Sequence, residues 1–420
     1  MAANAWTIIG NPFIYRLYDL TTLTYLGRLP FTGVSFGRSL NQPGPFQGTL
    51  NIADPQVQAL AWRSLTLEAR TLCVPELYGT PLGAWEIWAS QYQESGRGPM
   101  AIQGADVASY FQERNQAYDY TSTWNTPASG DPMSIMAQLF IDAIAQPGGN
   151  PMGLTSSSVV LNPSTGSPSG AQVSVSYPAS SLQQVDSMEQ TLSQMGYGTG
   201  PDYSFDVAYQ PGTKIPVITI NIWSPTRGRT VQQSSLQVER RQLMDFYYPV
   251  NGKVMGNNIT EAGSGTGGAQ PVTINLQSET PGYPLYDKSF VHTQVNTDSA
   301  LEGVAFGDAS LYAWPAANPW IKIPVVLPDA FGNLDPAVPP QLGTFDIGDN
   351  LEWNIDPVTI GPTGEPRWGE NNSPRFPTGF QFEFRIQDWV CNVSDKGVSY
   401  VTLDLAIPAT NALPPTQPPL

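Results

Sequence analysis

Apolar and polar residues alternate with period two through much of the first hundred positions. Residues 13–20 set Phe13, Tyr15 and Leu17 against Ile14, Arg16 and Tyr18, Thr21-Thr22 supplies a turn, and residues 25–30 return. This pattern predicts a hairpin of two strands. Further strands are predicted over residues 34–40, 46–52, 64–74, 85–93 and 100–104, with Asn41-Gln42-Pro43-Gly44 and Glu94-Ser95-Gly96-Arg97-Gly98 as turns between some of them. Short strands in close succession, with no clear helix between them, point to a small barrel or sandwich.

From residue 105 the period changes. Asp131 is placed as an N-cap with Pro132 at the first helical position, and Met136, Leu139, Phe140, Ala143 and Ile144 recur at helical spacing until Pro147-Gly148-Gly149. A second helix has Ser181 and Gln184 as a capping box, a stripe of Leu182, Val185, Met188, Leu192 and Met195, and Gly196 at its end. Between the two, residues 147–170 are rich in Ser, Gly, Asn and Pro and read as an exposed excursion. A hairpin of residues 203–209 and 215–222 follows. The strand pattern resumes over 236–247, 253–260 and 272–276, and a helix is predicted near 298–313 from Leu301, Val304, Ala305, Ala309 and Tyr312. Residues 381–392 and 398–407 form the last hairpin, with Phe382, Phe384 and Ile386 on one face. Residues 408–420 are Pro-rich and read as disordered.

Composition narrows the function classes. Charged residues make up 13% of the 420-residue chain, against about 25% in an average protein, and there are 39 glycines and 40 prolines, so turns must be frequent and helices few. The 35 acidic and 19 basic residues leave a net charge of -16, which repels a phosphate backbone and excludes sequence-reading of nucleic acid. No basic segment followed by an apolar one opens the chain, and the apolar run at 321–327 is broken by Lys322 and Pro324, so neither a signal peptide nor a membrane span is expected. The reading is of a soluble protein made in the cytoplasm.

Candidate chemistry is sparse. One histidine, His292, and two cysteines, Cys73 and Cys391, are too few soft ligands for a zinc or iron–sulfur site, although carboxylate-only metal sites stay open. The cysteines read as two reduced, buried thiols. Gly263, Gly265 and Gly268 match a Gly-x-Gly-x-x-Gly string, but a strand rather than a helix follows, so it reads as a flexible loop and no cofactor is expected. His292 has no Gly-x-Ser-x-Gly elbow to serve and reads as structural. The acids concentrated at Asp346, Asp349 and Glu352, with 11 tryptophans to line a cleft, are the candidates from which a glycosidase pair would be drawn. A turn at Gly348-Asp349 leading into a strand with Leu351 and Trp353 inward is the stronger reading. Arg227, Arg229, Arg240 and Arg241 form the visible basic group and read as solvated or ion-paired surface. Catalytic, cofactor and metal residues are therefore all expected to be none.

The order of segments resembles the tail-hub, or baseplate-hub, proteins of tailed bacteriophages, often called minor tail proteins. Tyr18-Asp19-Leu20, Leu26-Gly27-Arg28-Leu29-Pro30, Val34-Ser35-Phe36 and the run from Leu40-Asn41-Gln42 to Gly48-Thr49-Leu50 are similar to that family's first barrel. Tyr110-Phe111-Gln112-Glu113-Arg114 and Met195-Gly196-Tyr197 resemble its helical insertion, and Trp223-Ser224-Pro225 through Arg227-Gly228-Arg229 the run leading out. Gly256-Asn257-Asn258-Ile259, Gly263-Ser264-Gly265, Gly282-Tyr283-Pro284-Leu285, Ile347-Gly348-Asp349, Phe384-Arg385-Ile386 and Val401-Thr402-Leu403 are similar to the second barrel. Residues 75–84 and 314–343 depart from the family's pattern as added loops.

The resemblance implies a mainly β protein with helical insertions: two small antiparallel β-barrels joined by α/β insertion domains. It divides the chain into a first barrel at 1–104, an insertion at 105–235, a second barrel at 236–407 with its own helical insertion, and a disordered end at 408–420. The implied protein is no enzyme but a structural part of the virion tail tip, assembled in the host cytoplasm. It is expected as a homotrimer that closes the tail tube, passes DNA through its lumen, and contacts the distal tail protein ring, other minor tail and receptor-binding proteins and the tape-measure protein. Two other classes stay open: a distal-tail adaptor or carbohydrate-binding module, and a β-rich glycan-cleaving enzyme.

Overall fold

The computed structural model describes residues 11–92, 99–115, 131–146, 151–163, 184–193, 201–224, 227–229, 233, 236–265, 270–276, 283–292, 298–312, 318–325, 340–374 and 376–406. Expectations for Gly268, the helix start at Ser181, the Pro-rich end and most of the loop at 314–343 lie outside these residues.

The fold is mainly β, as the period-two pattern requires. The first strand set comprises β1 (Ile14–Asp19), β2 (Tyr25–Arg28), β3 (Thr32–Ser39), β4 (Pro45–Leu50), β5 (Thr71–Leu77), β6 (Thr80–Pro81), β7 (Trp85–Gln91) and β8 (Met100–Asp106). The β1–β2 turn forms because Asp19 Oδ1 accepts the backbone N–H groups of Thr21 and Thr22, an Asx turn written in Asp-Leu-Thr-Thr. Of the strand expected at 64–74, residues 71–74 lie in β5, but its start belongs to a helical turn, α2 (Trp62–Leu65), which follows the short α1 (Pro55–Gln58). Pro55 at the first helical position and Asp54 accepting from Gln56 N start that helical stretch, and strand propensity does not overcome them.

The insertion carries α3 (Ser109–Gln112), α4 (Pro132–Ala145) and α5 (Val185–Ser193) around a three-stranded sheet of β9 (Val159–Pro163), β10 (Asp202–Tyr209) and β11 (Pro216–Ser224). Asp131 caps α4 by accepting from Ser134 N at 3.0 Å, as the sequence predicts. The stretch 147–170 is not loop throughout: β9 pairs in parallel with β11, and Met152 and Leu154 are buried beneath it. These elements share a core with Tyr18, Leu72 and Val74 of the first set.

The chain returns through β12 (Gln237–Glu239) and β13 (Asp245–Tyr247). A small sheet of β14 (Asn258–Ala262), β15 (Val272–Leu276) and β16 (Asp287–Val291) follows, covered by α6 (Asp298–Tyr312). Then come β17 (Trp320–Pro324), β18 (Asn350–Ile355), the short pair β19 (Thr359–Ile360) and β20 (Pro366–Arg367), β21 (Phe380–Asn392) and β22 (Tyr400–Ala406). No helix of the described residues is long and apolar enough to cross a membrane.

Fourteen strands from both sets form one continuous sheet, running β13-β17-β22-β21-β3-β4-β8-β7-β5-β1-β2 with β12, β18 and β6 at its sides. The two sets are thus joined directly through β3 and β21, in addition to the insertion, and share one apolar core. A register shift between Ile386 and Asp388 marks the handover, where β21 stops pairing with β18 and begins pairing with β3. The bulge reverses the strand's parity: Phe384 and Ile386 face the core before it, Trp389 and Cys391 after it. Gly37 makes the join possible, since a Cβ there would overlap the Trp389 carbonyl oxygen.

Candidate functional site

The first strand set, the second set and the insertion meet at a cluster of charged residues. Arg38 lies on β3 in phase with Val34 and Phe36, so its guanidinium enters the protein rather than the solvent. Asp202 and Asp206 project from one face of β10, while Tyr203 and Phe205 on the other face join the insertion core. Arg227 and Arg229 flank Gly228, whose φ of +109° and lack of a Cβ let the segment lie against the Gly348 carbonyl. The turn holding Asp346 and Asp349 completes the cluster.

The pairing is reciprocal. Arg38 Nη1 donates to Asp346 Oδ2 at 2.5 Å, and its Nη2 donates to Asp206 Oδ1 at 2.6 Å and the Phe205 carbonyl at 3.0 Å. Arg227 Nη2 donates to the same two carboxylates at 2.9 and 3.2 Å, and its Nη1 to the Ile347 carbonyl. The Trp389 indole donates to Asp346 Oδ1 at 3.2 Å. Asp202 receives the Arg227 backbone N–H at 2.6 Å, the Asn41 amide at 2.9 Å and the Arg385 guanidinium. Asp349 clamps Arg229 through contacts of 2.6 and 3.1 Å. Two residues thus each link all three parts of the chain: Arg38 of the first set touches Asp206 of the insertion and Asp346 of the second set, and Asp202 of the insertion touches Asn41 of the first set and Arg385 of the second.

Burial alone would raise the Asp346 pKa, but the Arg38 and Arg227 charges outweigh it and hold the carboxyl well below the usual range. Burial likewise opposes the charge on Arg38, and Asp346 followed by Asp206 more than restores it. Asp346 and Arg38 thus stay ionised together. A cavity of about 500 Å³ opens beside them, lined by Arg38, Asp206, Trp223, Arg227, Asp346 and Trp389 among others.

This chemistry suits cohesion rather than turnover. A glycosidase acid must hold a proton until the transition state, whereas Asp346 is kept ionised between two arginines. Glu352 lies apart, accepting from the Asn354 and Gln381 amides. The turn-to-strand reading of this segment holds, with Leu351 and Trp353 fully buried.

The four arginines read as one surface group separate into two. Arg227 is a buried residue of the junction, not a surface one, because two acids, Asp206 and Asp346, and the Ile347 carbonyl compensate its guanidinium. Arg240 sits over the Phe246 ring and Arg241 pairs with Glu239. Gly263 closes the β14–β15 hairpin through its N–H to the Pro271 carbonyl, and Gly265 lies in the same loop. The groups at His292 Nε2 are the carboxylates of Glu261 at 2.7 Å and Asp308 at 3.9 Å, where a hydrolase would need a hydroxyl. Cys73 and Cys391 are free and buried, and burial pushes both thiols far above their ordinary pKa.

Sequence reading missed Arg38, Asp202, Asp206, Arg385 and Trp389 as members of this junction. A signal existed only at Arg38, a charge at a core-phase position of an otherwise apolar strand face.

No protein-family model and no curated protein matches the sequence. Among solved structures, the chain is similar to a tail protein from Neisseria meningitidis MC58, with a TM-score of 0.50 and 12% identity, over 95% of this chain and 99% of that one. It is also similar to the 43 kDa tail protein of prophage MuSo2 from Shewanella oneidensis, with a TM-score of 0.52 and 12% identity, over 94% of this chain and 99% of that one. The fold is that of phage tail proteins. It is shared across nearly the whole of both chains, so the expected resemblance holds at the level of the fold.

Proposed function

We propose that this protein is a structural component of a bacteriophage tail, the hub that closes the distal end of the tail tube. The observation that carries the reading is the likeness to two phage tail proteins over nearly their full lengths. Two strand sets in one chain, within 1–104 and 236–407, suit a homotrimer that presents six similar units to a six-fold tube. The charged junction then fixes the two sets at one relative angle, which a ring of repeated contacts requires. The excess of acids suits a DNA path, because a lumen that neutralised phosphates would bind the genome it must release. The hub would contact the distal tail ring, minor tail and receptor-binding proteins, and the tape-measure protein. It would have no catalytic role.

The test is deletion of the gene together with antibody labelling of intact virions. Filled heads without tails, and label at the tail tip only, are expected. Complete tails in the deletion mutant, or label along the tube, would reject the hub. Purified chain that cleaves host glycan would reject the structural role.

A further inference from the structure

The small sheet β14–β15–β16 and its covering helix α6 bring three chemistry-bearing side chains to one point. Glu261 projects from β14 on the face that α6 covers and has no exposed surface. His292 follows β16 by one residue, held by its backbone N–H to the Ala262 carbonyl at 2.8 Å. Asp308 lies on the stripe of α6 that buries Leu301, Val304, Ala305 and Ala309. One donor atom from each of the three lies within 4.8 Å of the others.

The polar bookkeeping at this point does not close. Both Glu261 carboxylate oxygens and His292 Nε2 are buried without a hydrogen-bond partner. Glu261 Oε2 and His292 Nε2 stand 2.7 Å apart, an ion pair when the imidazole is protonated. A carboxylate with no donor costs several kcal/mol to bury, so either protons carried by His292 and Asp308 or a cation facing all three groups must offset it. A cation facing all three groups would satisfy them at once. His292 and Asp308 keep about a fifth of their side chains exposed, which leaves an entry route and room for water as the remaining ligands.

We propose that Glu261, His292 and Asp308 form a binding site for one divalent transition-metal ion, of the zinc or manganese class. The imidazole nitrogen selects against calcium and magnesium, which prefer all-oxygen shells. Two carboxylates balance the charge of the ion. Zinc held at about 2.1 Å by each ligand puts tetrahedral donors about 3.4 Å apart, within reach of the present contacts by small side-chain rotations. The ion would fasten α6 to the two strands beneath it and stiffen this excursion of the second strand set.

The experiment takes the purified full chain, stripped with chelator and dialysed, and adds zinc or manganese ion alone, with calcium as control. Metal content after gel filtration and the melting temperature are then measured. About one retained equivalent is expected, with a rise in melting temperature of about 3 °C at a hundred-fold excess over Kd. Glu261→Gln, an isosteric change, is expected to lose both effects while keeping the wild-type circular dichroism. Should that variant fail to fold, His292→Gln at the rim is expected to weaken retention at least ten-fold. Absence of retained metal in the wild type, an equal response to calcium, or undiminished retention in both variants would overturn the proposal.

Discussion

At Asp346 a single carboxylate receives two guanidiniums and an indole. Asp346→Asn removes the charge but not the shape, leaving Arg38 and Arg227 to share Asp206. Breaking such a pair leaves charge buried without compensation, and a loss of about 3 kcal/mol in denaturant unfolding is expected. Other acids are placed against their own charge. Burial, aided by Glu113, lifts Glu86 to about 7, and burial lifts Asp106 to about 7 against the lowering effect of the Gly44 and Ala108 N–H groups. A carboxyl with a raised folded pKa contributes stability fully present below its unfolded value and lost as pH climbs through the folded one. Asp346 and Asp19 act in the opposite sense: their folded pKa values are lowered, so their contribution is present above the unfolded value and disappears in strong acid. The melting temperature is therefore expected to fall between about pH 5 and pH 8. Glu86→Gln should raise stability by about 1–3 kcal/mol at pH 8 and leave it unchanged at pH 5, which paired melting curves would reveal. An unchanged pH profile in that variant would rule Glu86 out as the source.

Among the elements, those whose pattern is local were legible. The Asp131 cap and its apolar stripe gave α4, and period-two runs gave β1, β10, β11 and β22, because each signal lies within about ten residues of chain. The helical turn at Trp62–Leu65 was misread because Leu65, Leu67 and Val74 scan as strand, and only Asp54-Pro55 upstream argues otherwise. The bulge in β21 could not be read either, since parity reverses without any change in composition. Two substitutions probe this scale. Leu139→Asp puts an unpaired carboxylate in the buried stripe of α4, at a cost of several kcal/mol, and is expected to leave no soluble folded chain. Gly37→Ala should destabilise by about 3 kcal/mol or more, because its new methyl group collides with rigid backbone rather than with a side-chain tip. A Gly37→Ala protein that melts like wild type would mean that the β3–β21 join is dispensable.

For the whole molecule, the architecture class was legible and the junction was not. Charge poverty, abundant Gly and Pro, and the order of short motifs suffice for a β-rich tail-protein fold. The junction draws on positions as far apart as Arg38 and Asp346, and no window of sequence contains both. Its members look like ordinary surface charges until the strands that carry them meet. At this scale the hub reading expects a particle of three chains by light scattering and an acidic wall around the channel in a tail-tip map. A wall dominated by Arg and Lys would contradict the charge argument.

The β3–β21 ladder also constrains synthesis. Gly33 and Asp395, bonded across that join, stand 362 residues apart, so β3 leaves the ribosome long before its neighbour exists. Throughout that interval the first strands carry an open edge, the kind of surface that nascent chains must keep from pairing with one another. Closing the sheet is then a late event that only chains translated through β21 achieve. Translation arrested before Asn392 should yield products that are sensitive to protease and unable to enter assembly, while release a few codons after β22 restores both properties. The chain would thereby be proofread for completeness by its own folding.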